Sequence, residues 1–209
     1  MEQFEVLSAV AAPYPFANVD TDRIIRVERC ARTPRAEMGL WAFEMDRFDA
    51  DGRERDSFVL NRAPFRGAGI LVADENFGCG SSREMAVWAI AGLGIRCVIA
   101  PSFGEIFYGN CFENGVLPVR LPADVVARFL AELAQVTSDS PEQATLTVDL
   151  HRQLVSTPWG EPVPFAVEAL RRDALLEGLD PIGVTLKRAA AIDAFQARQR
   201  AARPWVWEA

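Results

Sequence analysis

Ser81, Ser82 and Arg83 put two adjacent hydroxyls and a guanidinium in the run ENFGCGSSRE, Glu75 to Glu84, behind two glycines, Gly78 and Gly80. That grouping suits an anion. The planar guanidinium can grip a carboxylate in two places, and the hydroxyls can bond it from the side. Glycines let the backbone turn sharply and approach a ligand. Ser81-Ser82-Arg83-Glu84 also fits the capping-box pattern, so the spacing predicts a helix start at which free amide protons and the positive end of the helix dipole converge. A helix cap with no further role and an anion site are both compatible with this local pattern.

Other chemistries fail on residue type. No Gly-Lys-Ser/Thr ending marks a phosphate loop, and no Gly-x-Ser-x-Gly marks a nucleophile elbow. The one histidine, His151, stands far along the chain in a charged turn, so no Ser-His-Asp triad is supported and His151 reads as a solvated turn residue. Four cysteines, Cys30, Cys79, Cys97 and Cys111, lack any C-x-x-C spacing, which leaves neither a zinc ribbon nor a ferredoxin-type cluster to read. They read as free thiols, with Cys97 in the core. Cys79, in the glycine turn, has the place of a reactive thiolate but no histidine beside it to act as base.

The elements that position these residues follow from periodicity. GAGILVAD, Gly67 to Asp74, reads as a buried strand ahead of the glycine turn; EMAVWAIAGLG, Glu84 to Gly94, reads as a helix with apolar residues at threes and fours. A second strand, Arg96–Ala100, ends at Pro101, and Ser102-Phe103-Gly104-Glu105 repeats the capping-box pattern before a helix reaching about Asn114, with Gly115 as the stop. VLPVRL is another short strand. The helix PADVVARFLAELAQV opens on a proline and turns Val125, Val126, Phe129, Leu130 and Leu133 to one face. Leu146, Val148 and Leu150 alternate inward along Thr145–Leu150, and the turn Thr157–Pro162 closes a hairpin.

Glu5–Pro13 reads as the first strand, followed by the polar loop Ala17–Ile25 and a long irregular stretch from Arg26 to Arg66. Arginines recur every third position at Arg23, Arg26, Arg29, Arg32 and Arg35, ahead of the aromatics Trp41, Phe43 and Phe48. A solvated, salt-bridged loop accounts for most of them; one or two could form a cationic entry for acidic substrates. Helices near Glu168–Glu177, capped by Gly178, and Ala189–Arg200 finish the chain.

Half of the 209 residues are hydrophobic, enough for a substantial core, and one domain spanning residues 1–209 is the natural count. A formal net charge of −7 argues against a nucleic-acid partner. No apolar run has the length of a signal or a membrane span, so a soluble, cytoplasmic chain is expected.

NVDTDRII (Asn18–Ile25), ENFGCGSSRE, GIRCVIAPSFGEIFYGNCFENGVLPV (Gly94–Val119) and GLDPIGVTL (Gly178–Leu186) together resemble the family of 3-isopropylmalate dehydratase small subunits of leucine biosynthesis, the counterpart of the swivelling domain of aconitases. The resemblance covers most of the chain in the same order and weakens between Val27 and Phe48. It implies an α/β fold, a swivelling-type domain with a mixed sheet flanked by helices as in the aconitase C-terminal domain. Residues 26–66 would then form a variable loop, with C-terminal helices at about 168–201. The implied activity is a hydro-lyase that interconverts 2- and 3-isopropylmalate, active only with a large subunit that holds a [4Fe–4S] cluster; this chain would bind no metal.

In that family the first serine of GSSR is the base that moves the substrate proton, which maps to Ser81. The second serine and the arginine bind the dicarboxylate substrate and map to Ser82 and Arg83. The aspartate of the Thr-Asp-x-Ile loop, here Asp22, belongs to the polar network of the active site, while Asp20 beside it would fix the loop through an Asx turn. The chain departs from the usual GSSREHA at Met85, and the divergent Val27–Phe48 segment lies where the substrate's variable substituent is read in this family. A related dehydratase of methylated malates, a homoaconitase type and a non-catalytic swivelling-domain module are the other expectations.

Overall fold

In the computed structural model, which describes residues 1–207, short apolar runs make the strands that carry the site loops. Strand β1 (Val6–Tyr14) leads into one-turn helices α1 (Thr21–Ile24), α2 (Val27–Cys30) and α3 (Glu44–Arg47), with 3-10 turns at Arg35–Trp41 and Val59–Asn61. The regular alternation follows: β2 (Ile70–Ala73), α4 (Glu84–Gly92), β3 (Cys97–Ala100), α5 (Glu105–Glu113), β4 (Leu117–Arg120) and α6 (Ala123–Gln135). Three antiparallel strands come next, β5 (Thr145–Asp149), β6 (Leu154–Thr157) and β7 (Gly160–Pro164), and then helices α7 (Ala169–Glu177), α8 (Pro181–Leu186) and α9 (Ala189–Ala202).

The strands form one mixed sheet in the order β4-β3-β2-β1-β5-β6-β7 among the described residues. Strands β1 to β4 are parallel, with Ala11 opposite Ile70, Ile70 opposite Cys97 and Cys97 opposite Leu117. Strands β2 and β3 are buried along their whole length, as continuous apolar runs in a helix-covered parallel sheet should be. Strand β5 pairs antiparallel with β1, and Leu146, Val148 and Leu150 are fully buried, as their alternation predicts. Helix α6 packs on β1, β2 and β3 through the face holding Val126, Phe129 and Leu133. The α/β fold expected from the sequence, with its mixed sheet and flanking helices, is the fold observed.

Both capping boxes are corrected. Helix α4 begins at Glu84 with Arg83 as its N-cap, and no side chain caps it, because Ser81 and Ser82 fall two and one residues too early. Helix α5 begins after Gly104, again without a side-chain cap, and Ser102 Oγ instead accepts from the Asn76 amide at 2.8 Å. In each case a tertiary partner outbids the local pattern. The stretch 26–66 is less irregular than expected: its short turns bury Met38 and Phe43 in the core. Gly178 ends α7 in the left-handed conformation, as expected.

Candidate active site

Parallel strands end at one edge of a sheet, so the loops that follow β1, β2 and β3 meet there. The first two are stitched by backbone bonds: Asn18 donates to the Glu75 carbonyl at 2.9 Å, Gly78 to Val19 at 2.7 Å and Thr21 to Cys79 at 3.0 Å. The second and third are joined where Phe77 donates to Ser102 at 3.1 Å and Gly104 to Phe77 at 2.9 Å. Asn18 and Asn76, both at positive φ, face each other, with Asn76 Nδ2 donating to Asn18 Oδ1 at 2.8 Å. Gly78 also has positive φ, and a Cβ there would run into the Phe107 ring. The turn that presents the serines is therefore held against aromatic core by a position only glycine can fill.

On this frame the loop after β1 delivers Asp22 to Arg83. Asp20 caps α1, its Oδ1 accepting from the Arg23 amide at 2.7 Å, which is the Asx-type fixing expected of it. Buried Thr21 donates through Oγ1 to the Ser81 carbonyl at 3.4 Å. Arg83 Nη1 then stands 2.5 Å from Asp22 Oδ1, with the arginine side chain 18% exposed and the aspartate 49%. The Arg83 guanidinium holds the Asp22 carboxyl below its ordinary range, against a smaller opposing effect of burial. Arg83 Nη1 is itself buried and, though ion-paired, makes no well-directed hydrogen bond. A guanidinium has five N–H donors, so those not facing Asp22 can donate to the oxygens of a second carboxylate.

Ser81 and Ser82 are exposed, directly ahead of the uncapped first turn of α4. The structure thus gathers all four residues named from the sequence at one place, with Asp22 and Arg83 in contact and the two hydroxyls open to whatever covers them.

Sequence reasoning missed several neighbours. Cys30, read only as a free thiol, is close enough to this pair that Arg83 pulls its thiol down and Asp22 pushes it up, burial being the larger, raising effect. Arg26 is the one arginine of the recurring set that also helps lower Asp22. The others are engaged elsewhere: Arg23 with Asp46 at 2.8 Å, Arg29 with Glu44 at 2.7 Å and over the Trp41 ring, and Arg35 with Asn114 at 2.8 Å. Arg32 has no ion pair among the described residues. Arg26 bonds Glu28 at 3.2 Å as well, so the salt-bridged reading of the loop holds for most of the set. Apart from Arg26 with Glu28, these pairings have no local signal, since each joins positions brought together by the fold.

Cys97 and Cys111 are fully buried and burial pushes both thiols up, far from thiolate character. Among the described residues no group of three or more His, Cys, Asp or Glu side chains could hold a metal ion. Met85 is partly buried and packs against the core behind the serine turn. A cleft of about 960 Å³ lies away from the serines, lined by Tyr14, Phe16, Arg23, Asp46 and Arg62 among others, with Tyr14 donating to Asp46 at 2.5 Å in its wall. Among the described residues no helix is long and apolar enough to cross a membrane.

Residues 1–124 match the family model of the aconitase C-terminal domain, and residues 182–206 match that of the C-terminal domain of the 3-isopropylmalate dehydratase small subunit. A 3-isopropylmalate dehydratase small subunit from Gluconacetobacter diazotrophicus is 51% identical over 98% of this chain and 97% of its own length. One from Rhodospirillum centenum is 51% identical over 98% of both. The solved structure of a 3-isopropylmalate dehydratase from Methanocaldococcus jannaschii superposes with a TM-score of 0.63 at 26% identity, covering 91% of this chain and 99% of that one.

Proposed function

Since the chain belongs to the family of 3-isopropylmalate dehydratase small subunits, lyase components of leucine biosynthesis, we propose that Asp22 and the turn Ser81–Arg83 are its share of a site for a hydroxy dicarboxylate. The observation that carries this reading is Arg83: a half-buried, permanently charged fork anchored through one nitrogen by Asp22, beside two exposed hydroxyls. The substrate is an isopropylmalate, the partner is a large subunit that completes the pocket, and the complex works in the cytoplasm. The donor set of this chain does not fit an iron–sulfur cluster; Lewis-acid help for the departing hydroxyl would come from a [4Fe–4S] cluster held by that large subunit.

Each residue has a defined task. Arg83 binds one substrate carboxylate in a two-pronged grip while Asp22 keeps the guanidinium oriented. Ser82 and the free amides at the start of α4 add hydrogen bonds to the same anion. Ser81 takes the proton from the carbon next to the hydroxyl-bearing one, and returns a proton on rehydration at the other carbon. As an ordinary hydroxyl, with water's pKa of roughly 15.7 as a stand-in, it would cost about 12 kcal/mol to ionise near pH 7, at 1.36 kcal/mol per unit. A helix N-terminus offsets at most about 2 kcal/mol. Ser81 is exposed in this chain, so the remainder has to come from a water-excluding, cationic enclosure completed by the partner.

The test is Ser81→Ala in the complex reconstituted with its large subunit. Ser81 neither caps α4 nor donates a side-chain bond, so stability should change by no more than about 0.5 kcal/mol. Turnover of isopropylmalate should fall on the order of 10²–10⁴-fold. Near-normal turnover by the variant, or turnover by this chain alone, would end the shared-site reading.

A further inference from the structure

Asn114, the C-cap of α5, has its amide fully engaged. Oδ1 accepts from Arg35 Nη2 at 2.8 Å and from Trp88 Nε1 at 2.9 Å, while Nδ2 donates to Glu84 Oε1 and to the Asn110 carbonyl, both at 2.9 Å. Two donors and two acceptors converge, and a carboxamide is the one short side chain that answers both kinds at once. The partners come from different elements: Arg35 opens the 3-10 turn within the 26–66 stretch, Glu84 and Trp88 lie on one face of α4, and Asn110 is on α5. Arg35 also stacks over the Trp88 ring, 4.9 Å from its centroid.

Glu84 is the first residue of α4 and directly follows Arg83. In a capping box its carboxylate would fold back on the residues before the helix; here Asn114 draws it away, which leaves the start of α4 open and sets where Arg83 leaves the turn. We propose that Asn114 is a positioning residue for this site: by holding Glu84 it fixes the Ser81–Arg83 turn, and through Arg35 it ties that turn to the 26–66 stretch. This rests on the reading of that turn as the active site.

The experiment uses the reconstituted complex with full-length chains. Asn114→Asp keeps both acceptor bonds, to Arg35 and Trp88, but sets a second carboxylate against Glu84. Turnover should fall on the order of 10²-fold, the cost of a displacement near 1 Å at a catalytic group, with assembly retained and a lowered melting temperature, since the Asn110 carbonyl also loses its donor. Adding Glu84→Gln supplies an amide that can donate to the new carboxylate, and the double variant should recover most of the lost turnover. Unchanged turnover in Asn114→Asp, or no recovery in the double variant, overturns the proposal. Should Asn114→Asp fail to fold, Glu84→Ala cuts the same link from the other side, and full turnover in that variant overturns it equally. Ser81→Ala in the same assay separates the two readings. An active Ser81→Ala removes the site itself, whereas an inactive Ser81→Ala beside a fully active Asn114→Asp removes only the role of Asn114.

Discussion

Arg83 is held by one carboxylate of the protein, and in the proposed site it would bind a second, that of the substrate. A guanidinium carries five N–H donors, so Asp22 can hold one edge while another stays available. The Asp22 carboxyl is held below its ordinary range chiefly by Arg83, which makes the contact a stability term with a defined sign in pH. A depressed folded-state pKa contributes stability that is fully present above the unfolded value of about 3.9 and is lost as pH falls through the lower folded value. Asp22→Asn should therefore melt below the parent at neutral pH, and the two curves should converge in acid. Half-exposure of Asp22 keeps the gap small. Melting temperatures of both proteins from pH 7 to pH 3 check this, and a gap that stays constant in acid would mean the contact is not ionic. Asp22, Ser81, Ser82 and Arg83 could be named as candidates from the sequence because each sits in a contiguous motif, and the fold brings the two motifs together. Asn114 was not, because its partners lie at positions 35, 84, 88 and 110 and only the fold assembles them.

Two backbones touch where the 3-10 turn Arg35–Trp41 crosses α4. Gly92 and Gly39 meet there: a Cβ on Gly92 would lie 2.7 Å from the Gly39 nitrogen and 2.8 Å from its Cα. Gly92 is the last residue of α4, where alanine gains less than the about 1 kcal/mol it gains over glycine in a helix interior. Overpacking against backbone costs about 1–3 kcal/mol and leaves nothing flexible to move aside. Gly92→Ala should thus destabilise by up to about 2 kcal/mol in denaturant unfolding, despite the better helix former; a variant more stable than its parent would show that the crossing is loose. This contact also marks the limit of legibility at the scale of elements. Helix Ala123–Gln135 announced itself by length and period and was read nearly to its ends, while the strand Ile70–Ala73 was found from its apolar run but read too long, as Gly67–Asp74. The turns within 26–66 are too short to show a period, and the capping boxes failed because Glu84 and Ser102 found better partners across the fold. Local pattern predicts what a segment can do alone, and these residues are not alone.

The face of this molecule that most lacks a covering is its C-terminal segment. Helix α9 buries none of its residues, and Phe195 and Trp205 are 53% and 68% exposed. The same stretch is basic, with Lys187, Arg188, Arg198, Arg200 and Arg203 against Asp193 and Glu208, on a chain whose net charge is −7. It also coincides with the C-terminal family model of small subunits at residues 182–206, which lies outside the stretch matched by the aconitase model. A segment particular to small subunits, apolar and basic, and held weakly to its own sheet suits the task of gripping the large subunit. Phe195→Asp should then weaken assembly without unfolding the chain, since its ring supports nothing in the core. Burying one aromatic side chain is worth about 1.5–3 kcal/mol, so the dissociation constant of the complex should rise by about tenfold or more. Titration of the large subunit against each form, followed by the emission of exposed Trp205 and Trp207, measures it directly. An unchanged dissociation constant, with both tryptophans still solvent-exposed in the complex, would place the grip elsewhere on the molecule.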